Sequence, residues 1–483
     1  MMRRIPSLLT LALPVLLAGC GVPSVSRPNL TLPQRFASAP AANAPGADAL
    51  DRWWLLFSDA QLAALEDEAL AHAPDARSAL AVLDEARATR SKALLTYDVQ
   101  GNASGSITRG QTTISGMSGA GAFLMTPAGA TTTSAGSFSP SWELDLFGRR
   151  NAARQAADAD LTAATFTYHA ALQSLTAQVA TNLFQARGLS LQLAEARDTL
   201  RVARELADIG QRKAKAGIGS QVDADSLLAD RATAQANVLS LEAQLAVSRQ
   251  TLLVLIGRAG AAPETLAVDG ALGAPPEVPD ATPATLLVRR PDVMQAEARL
   301  RSAMGTLRLN SLALLPKINL QGTTSISAIA GPAGYTTSLW SIASGLTMPV
   351  FDRARLLGDR RAQRAKAEQA AIAYEKAVQS GFGEAQNQLA TYGADRARLG
   401  LLIEAEARAR HAFDGQNAGY RAGVVDLTAL LTAERTWRNA RTSLSALRAT
   451  TMSDAVNVFK ALGGGWTPLD PNHPVTSFPD QKP

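Results

Sequence analysis

The chain has 483 residues and a formal net charge of +5, and 46% of its residues are hydrophobic but only 5% aromatic. Small apolar residues with few rings favour long, closely packed helices over a bulky globular core. The charges are interspersed, and no basic stripe with interleaved aromatic residues is present. This distribution argues against nucleic-acid binding.

The N-terminus has the pattern of a secretory signal. Residues 1–4 are a basic start, residues 5–17 are an apolar run, and Leu17-Ala18-Gly19-Cys20 follows. We predict a signal peptide over residues 1–19, because the apolar run is too short to span a bilayer. Cys20 is the only cysteine, so it forms no internal disulfide. An ordinary signal followed by an incidental cysteine is the alternative.

Helical patterns fill most of the chain that follows. Residues 149–215 contain no proline, and one helix of that length would be about 100 Å long. Such a length predicts coiled-coil or repeat packing. Residues 222–257 carry a seven-residue grid of apolar positions, with Arg231 and Ser248 as its polar members. The other predicted helical stretches are 59–95, 289–315, 352–415 and 425–462.

Four short segments alternate apolar and polar residues instead. Period two predicts strands with one apolar and one polar face. Roughly ten residues per strand suits a tilted strand of a membrane barrel. No further stretch has the roughly twenty uninterrupted apolar residues of a spanning helix. The predicted strands lie at about 98–109, 136–146, 318–328 and 339–350.

The chain is an internal duplication. Trp142 to Arg149 corresponds to Leu346 to Arg353, and each half runs helix, strand, loop, strand, very long helix, glycine turn, helix. A period this long indicates a duplicated domain and not a solenoid unit. The predicted parts are an extended N-terminal segment (20–58), a first repeat (59–257), a linker (258–283), a second repeat (284–462) and a flexible C-terminal tail (463–483).

Four amphipathic strands cannot close a barrel by themselves, and open sheet edges are not tolerated in lipid. Several copies of the chain must therefore supply the strands. Two copies give eight strands, a size that side chains mostly fill, and three copies give twelve, which leaves room for water. The polar faces consist mainly of Ser, Thr, Asn and Gln, which favours three copies without excluding two.

These residues resemble the TolC-like outer membrane factors, most closely the lipoprotein branch of resistance-nodulation-division (NodT-type) efflux systems. The matching features follow one another in order over nearly the whole mature chain, and only their order and spacing are specific. They are Leu17-Ala18-Gly19-Cys20, Trp53-Trp54-x-x-Phe57, Trp142 to Arg149, Arg289-Arg290-Pro291-Asp292, Pro349-Val350-Phe351-Asp352, Tyr420-Arg421-Ala422-Gly423 and Lys460 to Trp466.

The resemblance implies a mainly α protein with a membrane β-barrel. Three copies would form a twelve-stranded barrel and a long α-helical coiled-coil barrel in the periplasm. The signal would be cleaved before Cys20, which would carry covalent lipid and anchor the chain in the outer membrane. The implied function is the channel of a tripartite pump, giving small toxic compounds and drugs a passive exit. The implied partners are a periplasmic adaptor, an inner-membrane transporter and outer-membrane lipid.

Six residues are predicted site positions. The resemblance implies lipidation at Cys20, places Tyr420 and Arg421 at the family's closing turn, and puts Asp426 near its acidic constriction. The family often has Asp where this chain has Thr432. Ordinary turn residues are the alternative for Tyr420 and Arg421, and a helix cap is the alternative for Asp426. The remaining two are Trp142 and Trp340, either an aromatic girdle of the barrel or core packing.

Other classes of protein fit less well. No catalytic site, metal site or cofactor is predicted apart from the lipid, because His72, His169, His411 and His473 lack ligand spacing and no phosphate loop is present. A periplasmic coiled-coil adaptor would have one helical hairpin and globular β domains, not two matched strand pairs. The alternative function within the channel class is the outer-membrane channel of a type I secretion system, whose cargo is a protein.

Overall fold

The structure, a computed structural model, is mostly helical with one four-stranded sheet. The predicted signal peptide, Cys20 and residues 468–483 lie outside the residues that it describes. The described residues are 32–37, 47–112, 129–278, 282–331 and 334–467.

The predicted helices are confirmed. The stretch from 59 to 95 is two helices, because Pro74 has no N–H to donate and begins a second one. The stretch predicted to end at 415 continues to Arg421. The α-helices of the described residues are α1 (Ala60–His72), α2 (Pro74–Leu95), α3 (Arg149–Lys215), α4 (Gln221–Leu255), α5 (Pro283–Arg289), α6 (Pro291–Leu312), α7 (Arg353–Arg421) and α8 (Leu427–Ala461).

The four predicted strands are confirmed as one antiparallel sheet in the order β1-β2-β3-β4. β2 begins about seven residues before its predicted start, and β4 is shifted toward the N-terminus. The added residues are Gly, Ala, Ser and Thr, which carry little apolar alternation but still pair through their backbone. The strands are β1 (Gln100–Thr112), β2 (Gly129–Leu144), β3 (Lys317–Ala330) and β4 (Tyr335–Thr347).

The two halves of the chain match element by element. α2 and α6 have 22 residues each, and α4 and α8 have 35 each. The longest helices, α3 and α7, have 67 and 69 residues. These equal lengths support the internal duplication that the sequence predicts.

The chain divides into two compact units. The first consists, among the described residues, of 84–163 and 297–373 and contains the sheet. Where β2 leads into α3, the buried guanidinium of Arg149 donates hydrogen bonds to the carbonyl oxygens of Leu312 (2.7 Å) and Leu315 (2.8 Å). Both carbonyls lie at or just beyond the C-terminal end of α6, so Arg149 joins this helix end to the strand-to-helix junction.

The same junction caps α3 with a carboxylate. The Asp145 side chain accepts hydrogen bonds from the backbone N–H groups of Arg149 (2.7 Å) and Arg150 (2.9 Å). A negative charge at a helix N-terminus is favourable because the first N–H groups have no partner within the helix. Gly148, with φ of 80°, supplies the left-handed residue that the bend requires.

The second unit, which among the described residues comprises 32–37, 47–83, 164–278, 282–296 and 374–467, holds an aromatic core. Trp53 is buried, stacks on Phe459 at 5.6 Å and meets Phe57 edge-on. Phe57 in turn contacts Phe184 at 5.0 Å. These residues lie on a short 3₁₀ helix, Trp53–Phe57. The N-terminal segment is therefore not extended at this point, because its aromatic side chains pack into the core.

The C-terminal tail was predicted to be flexible from Gly463, and this is wrong for Gly463 to Trp466, which are buried. The indole of Trp466 donates to the Arg289 carbonyl (2.9 Å), and the Gly465 N–H donates to the Leu50 carbonyl (2.9 Å). A side chain at Gly463 would lie 2.6 Å from the Arg289 carbonyl oxygen. The three glycines therefore allow close packing of the backbone, although a run of glycines is typical of a linker.

α1 contains a buried carboxyl without a partner. Glu66 is fully buried, and neither of its side-chain oxygens has a hydrogen-bond partner among the described residues. Burial, reinforced by the charge of Asp67, raises the pKa of Glu66 well above its ordinary value. The folded protein therefore favours the protonated carboxyl.

We expect Glu66→Gln to stabilise the protein, and more so at higher pH. Because the folded pKa of Glu66 lies above the unfolded one, the wild type loses stability as pH rises from about 4.5 through the folded pKa. The neutral amide avoids this loss, which should amount to at least about 1 kcal/mol at pH 8. Thermal unfolding followed by tryptophan fluorescence between pH 5 and pH 9 measures it. Glu85→Gln, at an exposed position, is the control, and equal pH slopes for wild type and Glu66→Gln would contradict the prediction.

Candidate functional site

The register of the sheet places apolar residues of all four strands on one face. Gly105 lies opposite Gly136, Gly136 opposite Ile326, and Ile326 opposite Ser338. Side chains alternate between the faces of a strand, so every second residue from these positions shares that face. We call it the apolar face. Its large side chains are Ile107, Phe138, Trp142, Leu144, Ile318, Leu320, Ile326, Trp340, Ile342 and Leu346.

The opposite face, which we call the polar face, carries mainly hydroxyl and amide side chains. Ser104 and Ser137 face each other across β1 and β2, with their Oγ atoms 2.8 Å apart. Glu143 and Lys317 add one charge of each sign, 3.9 Å apart. Barrel strands in membranes alternate in the same way between a lipid side and a water side.

Trp142 and Trp340 both lie on the apolar face, and their side chains are 41% and 76% exposed. Trp142 is paired with Leu320, which is paired with Ser344, four residues from Trp340 along β4. The two indoles therefore lie on the same face of the sheet but at different heights along the strands. Core packing within one chain does not account for Trp340.

Both outer strands of the sheet are edges in the described chain. β1 pairs only with β2, and β4 pairs only with β3. All residues of β4 are exposed. The outward N–H and C=O groups of these two strands therefore have no neighbouring strand in a single chain.

A second group of candidate residues lies in the second unit, where two turns join the long helices. The N–H of Ile218 donates to the Lys213 carbonyl (3.1 Å), and that of Val424 donates to the Gly419 carbonyl (3.0 Å). Both turns thus have the hydrogen bond of a Schellman motif. This motif needs one residue with a positive φ, and glycine adopts that conformation without steric cost. These glycines are Gly217 (φ 71°) and Gly423 (φ 76°).

Each turn is followed by a helix cap. The Ser220 hydroxyl accepts from the Val222 N–H (3.1 Å), and the Asp426 carboxylate accepts from the Ala429 N–H (2.6 Å). Asp426 thus acts as the helix cap that the sequence analysis gave as its alternative role. Its side chain is nevertheless exposed, so a charge remains at the surface of this turn.

Tyr420 is buried next to the second turn, with only 8% of its surface exposed. It belongs to a small apolar cluster at the ends of four helices, and the Lys213 ammonium lies 4.3 Å from the centre of its ring. A cation over an aromatic face is favourable. Tyr420 thereby ties α3 to α7. The cluster comprises Leu206, Ala207, Leu227, Phe413, Tyr420, Leu430 and Trp437.

Arg421, by contrast, is exposed and makes two polar contacts. Its Nε donates to Asn417 Oδ1 (3.3 Å), and its guanidinium lies 3.6 Å from the Glu205 carboxylate of α3. Glu205 also accepts a hydrogen bond from Arg201 (2.9 Å). Arg421 therefore links α7 to α3 by an ion pair in water, which is a weak connection that small forces can break. The sequence analysis missed Glu205 because nothing local marks a partner so distant in the chain.

A second group of charged residues, of which Glu434 is buried, joins the helices behind the turns. Arg438 forms ion pairs with Glu434 and with Asp230 (3.3 Å). Burial raises the pKa of the Glu434 carboxyl above its ordinary value, although the hydrogen bond from Arg438 opposes the increase. Nearby, the Trp437 indole donates to Glu406 (2.9 Å). These bonds hold α4, α7 and α8 together close to the turns.

Within the described ranges, no cluster of three or more His, Cys, Asp or Glu residues could hold a metal ion. One described helix, α4, is long and apolar enough to cross a membrane, by length and composition alone. About a third of its most apolar stretch is buried. α4 buries eight of the ten positions of its seven-residue grid, including Ser248. This burial is the pattern of a coiled-coil helix.

Comparison with known proteins identifies the family. The sequence model described as outer membrane efflux protein matches residues 65–258 and 282–464. The pyoverdine export outer membrane protein OpmQ of Pseudomonas putida is 28% identical over 94% of this chain and 97% of its own. The outer membrane protein OprJ of Pseudomonas aeruginosa is 30% identical over 68% of this chain and 69% of its own.

Solved structures agree with this. The outer-membrane channel OprN is 26% identical, with a TM-score of 0.79, over 92% of this chain and 99% of its own. The CmeC outer membrane channel of Campylobacter jejuni, 18% identical, shares the fold with a TM-score of 0.80 over 92% of this chain and 95% of its own. The chain therefore belongs to the outer membrane efflux protein family and is an outer-membrane channel protein of an efflux system.

Proposed function

We propose that three copies of this chain form one channel of a tripartite pump, through which small toxic molecules leave passively. Their strands close a twelve-stranded barrel in the outer membrane, and the pore is gated at its periplasmic helical end. The observation that carries the proposal is the four-stranded sheet, with open edges, one apolar face and one polar face.

The open edges supply the physical reason for assembly. Each unpaired backbone group in lipid costs several kcal/mol, so only a closed sheet is stable there. The β1 edge of one copy pairs with the β4 edge of the next, and the ring closes. The polar face, with its hydroxyl and amide groups, then surrounds a lumen that twelve strands make wide enough for water.

The gate consists of the two turns with their charged residues. Asp426 is exposed at the second turn, and three copies bring three such carboxylates around one axis. A ring of like charges sets an electrostatic barrier in a narrow pore. Arg421, through its contact with Glu205, holds α7 against α3 in the closed state, while buried Tyr420 anchors the turn.

The proposed partners dock at the same end. A periplasmic adaptor binds the turns and connects the channel to an inner-membrane transporter, as the family resemblance implies. Ile218 and Val424, at the tips of the two turns, are 77% and 80% exposed. Exposed apolar side chains at equivalent turn positions suit contact with another protein.

Cys20 carries covalent lipid in this proposal, after removal of residues 1–19. Several acyl chains bind a membrane firmly, since each buried methylene contributes about 0.8 kcal/mol. One relative, SilC of Salmonella typhimurium, is described as a probable outer membrane lipoprotein. We assign the chain no catalytic role and no cofactor other than this lipid.

The relatives differ in cargo. Their names give pyoverdine export for OpmQ, cation efflux for CusC of Escherichia coli and toluene efflux for TtgF of Pseudomonas putida. A lumen lined by uncharged polar groups selects by size more than by chemistry. We therefore assign small molecules as a class, and secreted proteins remain the competing cargo.

The central prediction concerns copy number and conduction. Protein purified in mild detergent should be a trimer by light scattering, and it should form ion-conducting pores in planar bilayers. Deletion of the gene should also sensitise the cell to drugs, dyes, metals or solvents. A monomer that conducts no ions would contradict the assembly, and a deletion that abolishes secretion of a protein without altering sensitivity would favour the competing cargo.

Lipidation gives a second prediction. Cys20→Ala should abolish incorporation of labelled palmitate, because the acceptor thiol is lost. Ser24→Ala, four residues away, should label like the wild type. Palmitate label that persists on Cys20→Ala protein would exclude this residue as the attachment site.

The gate gives a third prediction. Arg421→Ala should increase the open probability of single channels, by roughly twofold per copy, the effect of losing one exposed ion pair. Glu205→Gln should act in the same direction. Arg408→Ala removes an exposed ion pair with Glu404 within α7 alone and is the matched control. Unchanged open probability in both gate variants would remove this pair from the gate.

A further inference from the structure

The apolar face of the sheet contains a groove. Its floor is Gly105 and Gly136, which lie opposite each other on β1 and β2. Its walls include Ile107 and Ile326, which are 79% and 57% exposed. The groove has a volume of about 650 Å³. We call it the glycine groove.

The floor of the glycine groove offers little for a polar ligand to bind. β1, β2 and β3 are paired with one another across the groove, so the backbone hydrogen-bonding groups between these strands are already satisfied. Ser106, Ser134, Ala135 and Ala328 complete the lining. An open depression with aliphatic sides and a paired floor suits an alkyl chain, whose burial is favourable in proportion to its area.

One charged residue stands next to the groove. The four strands contain three charged side chains, and two of them, Glu143 and Lys317, lie on the polar face close to each other. The third, Arg109, is on the apolar face, two residues beyond Ile107 and about 7 Å further along β1. It is exposed, and no ion pair or hydrogen bond involves it among the described residues.

An unpaired arginine on the lipid side of a barrel is costly at mid-bilayer and tolerated near the interface. Arg109 lies in the final four residues of β1, away from the end where α2 enters. At that depth a guanidinium meets lipid head groups, and phosphate is the anion that it binds best, through two parallel hydrogen bonds.

We infer that the glycine groove and Arg109 form a binding site for an anionic phospholipid, with an acyl chain in the groove and the head-group phosphate on Arg109. The inference rests on the proposed function, because it requires the apolar face to contact lipid. All of its lining comes from three strands of a single chain, so the groove does not depend on a neighbouring copy.

The test uses the full-length protein in detergent, with native mass spectrometry to count bound lipid. The probes are dimyristoyl phosphatidylglycerol, which is anionic, and dimyristoyl phosphatidylcholine, which has the same acyl chains and no net charge. The wild type should prefer phosphatidylglycerol. Arg109→Gln should weaken phosphatidylglycerol binding about fivefold, the contribution of one cationic side chain at an anionic membrane surface, and phosphatidylcholine binding less, because the choline cation offsets the charge of its phosphate. Arg109→Lys should retain most of the preference.

Gly105→Leu should weaken binding of both lipids, because it fills the groove. A side chain is sterically tolerated there, since an added Cβ would approach only the Ala135 carbonyl oxygen, at 4.0 Å. Gly110→Leu is the control, five residues along β1 on the polar face, where an added Cβ contacts nothing.

Two results would overturn the site: equal lipid preference in Arg109→Gln and the wild type, or normal lipid binding by Gly105→Leu. Loss of the trimer in Gly105→Leu alone would show that the groove contacts another copy instead. Single-channel conductance is recorded on the same samples. If the wild type forms conducting pores but shows no lipid preference, the lipid site is refuted and the channel stands. If the wild type forms no pores, the proposed function is refuted.

Discussion

Backbone hydrogen bonding at the two edges of the sheet is the constraint on which the rest of this molecule depends. A strand edge that faces lipid leaves its N–H and C=O groups without partners, and water is not available to replace them. β1 and β4 are such edges in a single chain. The same requirement links the number of strands in a chain to the number of copies in a channel.

The junctions between sheet and helices show that the two halves, although duplicated, have diverged. In the first half, Asp145 caps α3 and the buried Arg149 binds the end of α6. At the corresponding positions of the second half, Pro349 replaces the capping carboxylate and Arg353 is not buried. The first junction is therefore fixed by buried, charge-assisted hydrogen bonds, whereas the second has fewer of them.

The helical turns combine strong and weak contacts in a way that suits a gate. Tyr420 and its apolar neighbours are buried, as is the carboxylate of Glu434, which forms an ion pair with the half-buried Arg438. Breaking such contacts exposes apolar surface or leaves a buried charge unpaired, which is costly. The Arg421–Glu205 pair is exposed and contributes little. A turn that is held on one side by buried packing and on the other by an exposed ion pair can move without unfolding.

The sequence by itself determined the helices, the four strands, the duplication and the family, because these depend on periodicity and on the order of short motifs. It also placed Tyr420, Arg421 and Asp426 at a turn. It left open whether Asp426 caps α8, and it did not reveal that β2 pairs with β3 across the two halves or that Gly463 to Trp466 pack into the second unit. The tertiary structure decided these points, since each depends on contacts between residues far apart in the chain or on local geometry that residue type leaves open.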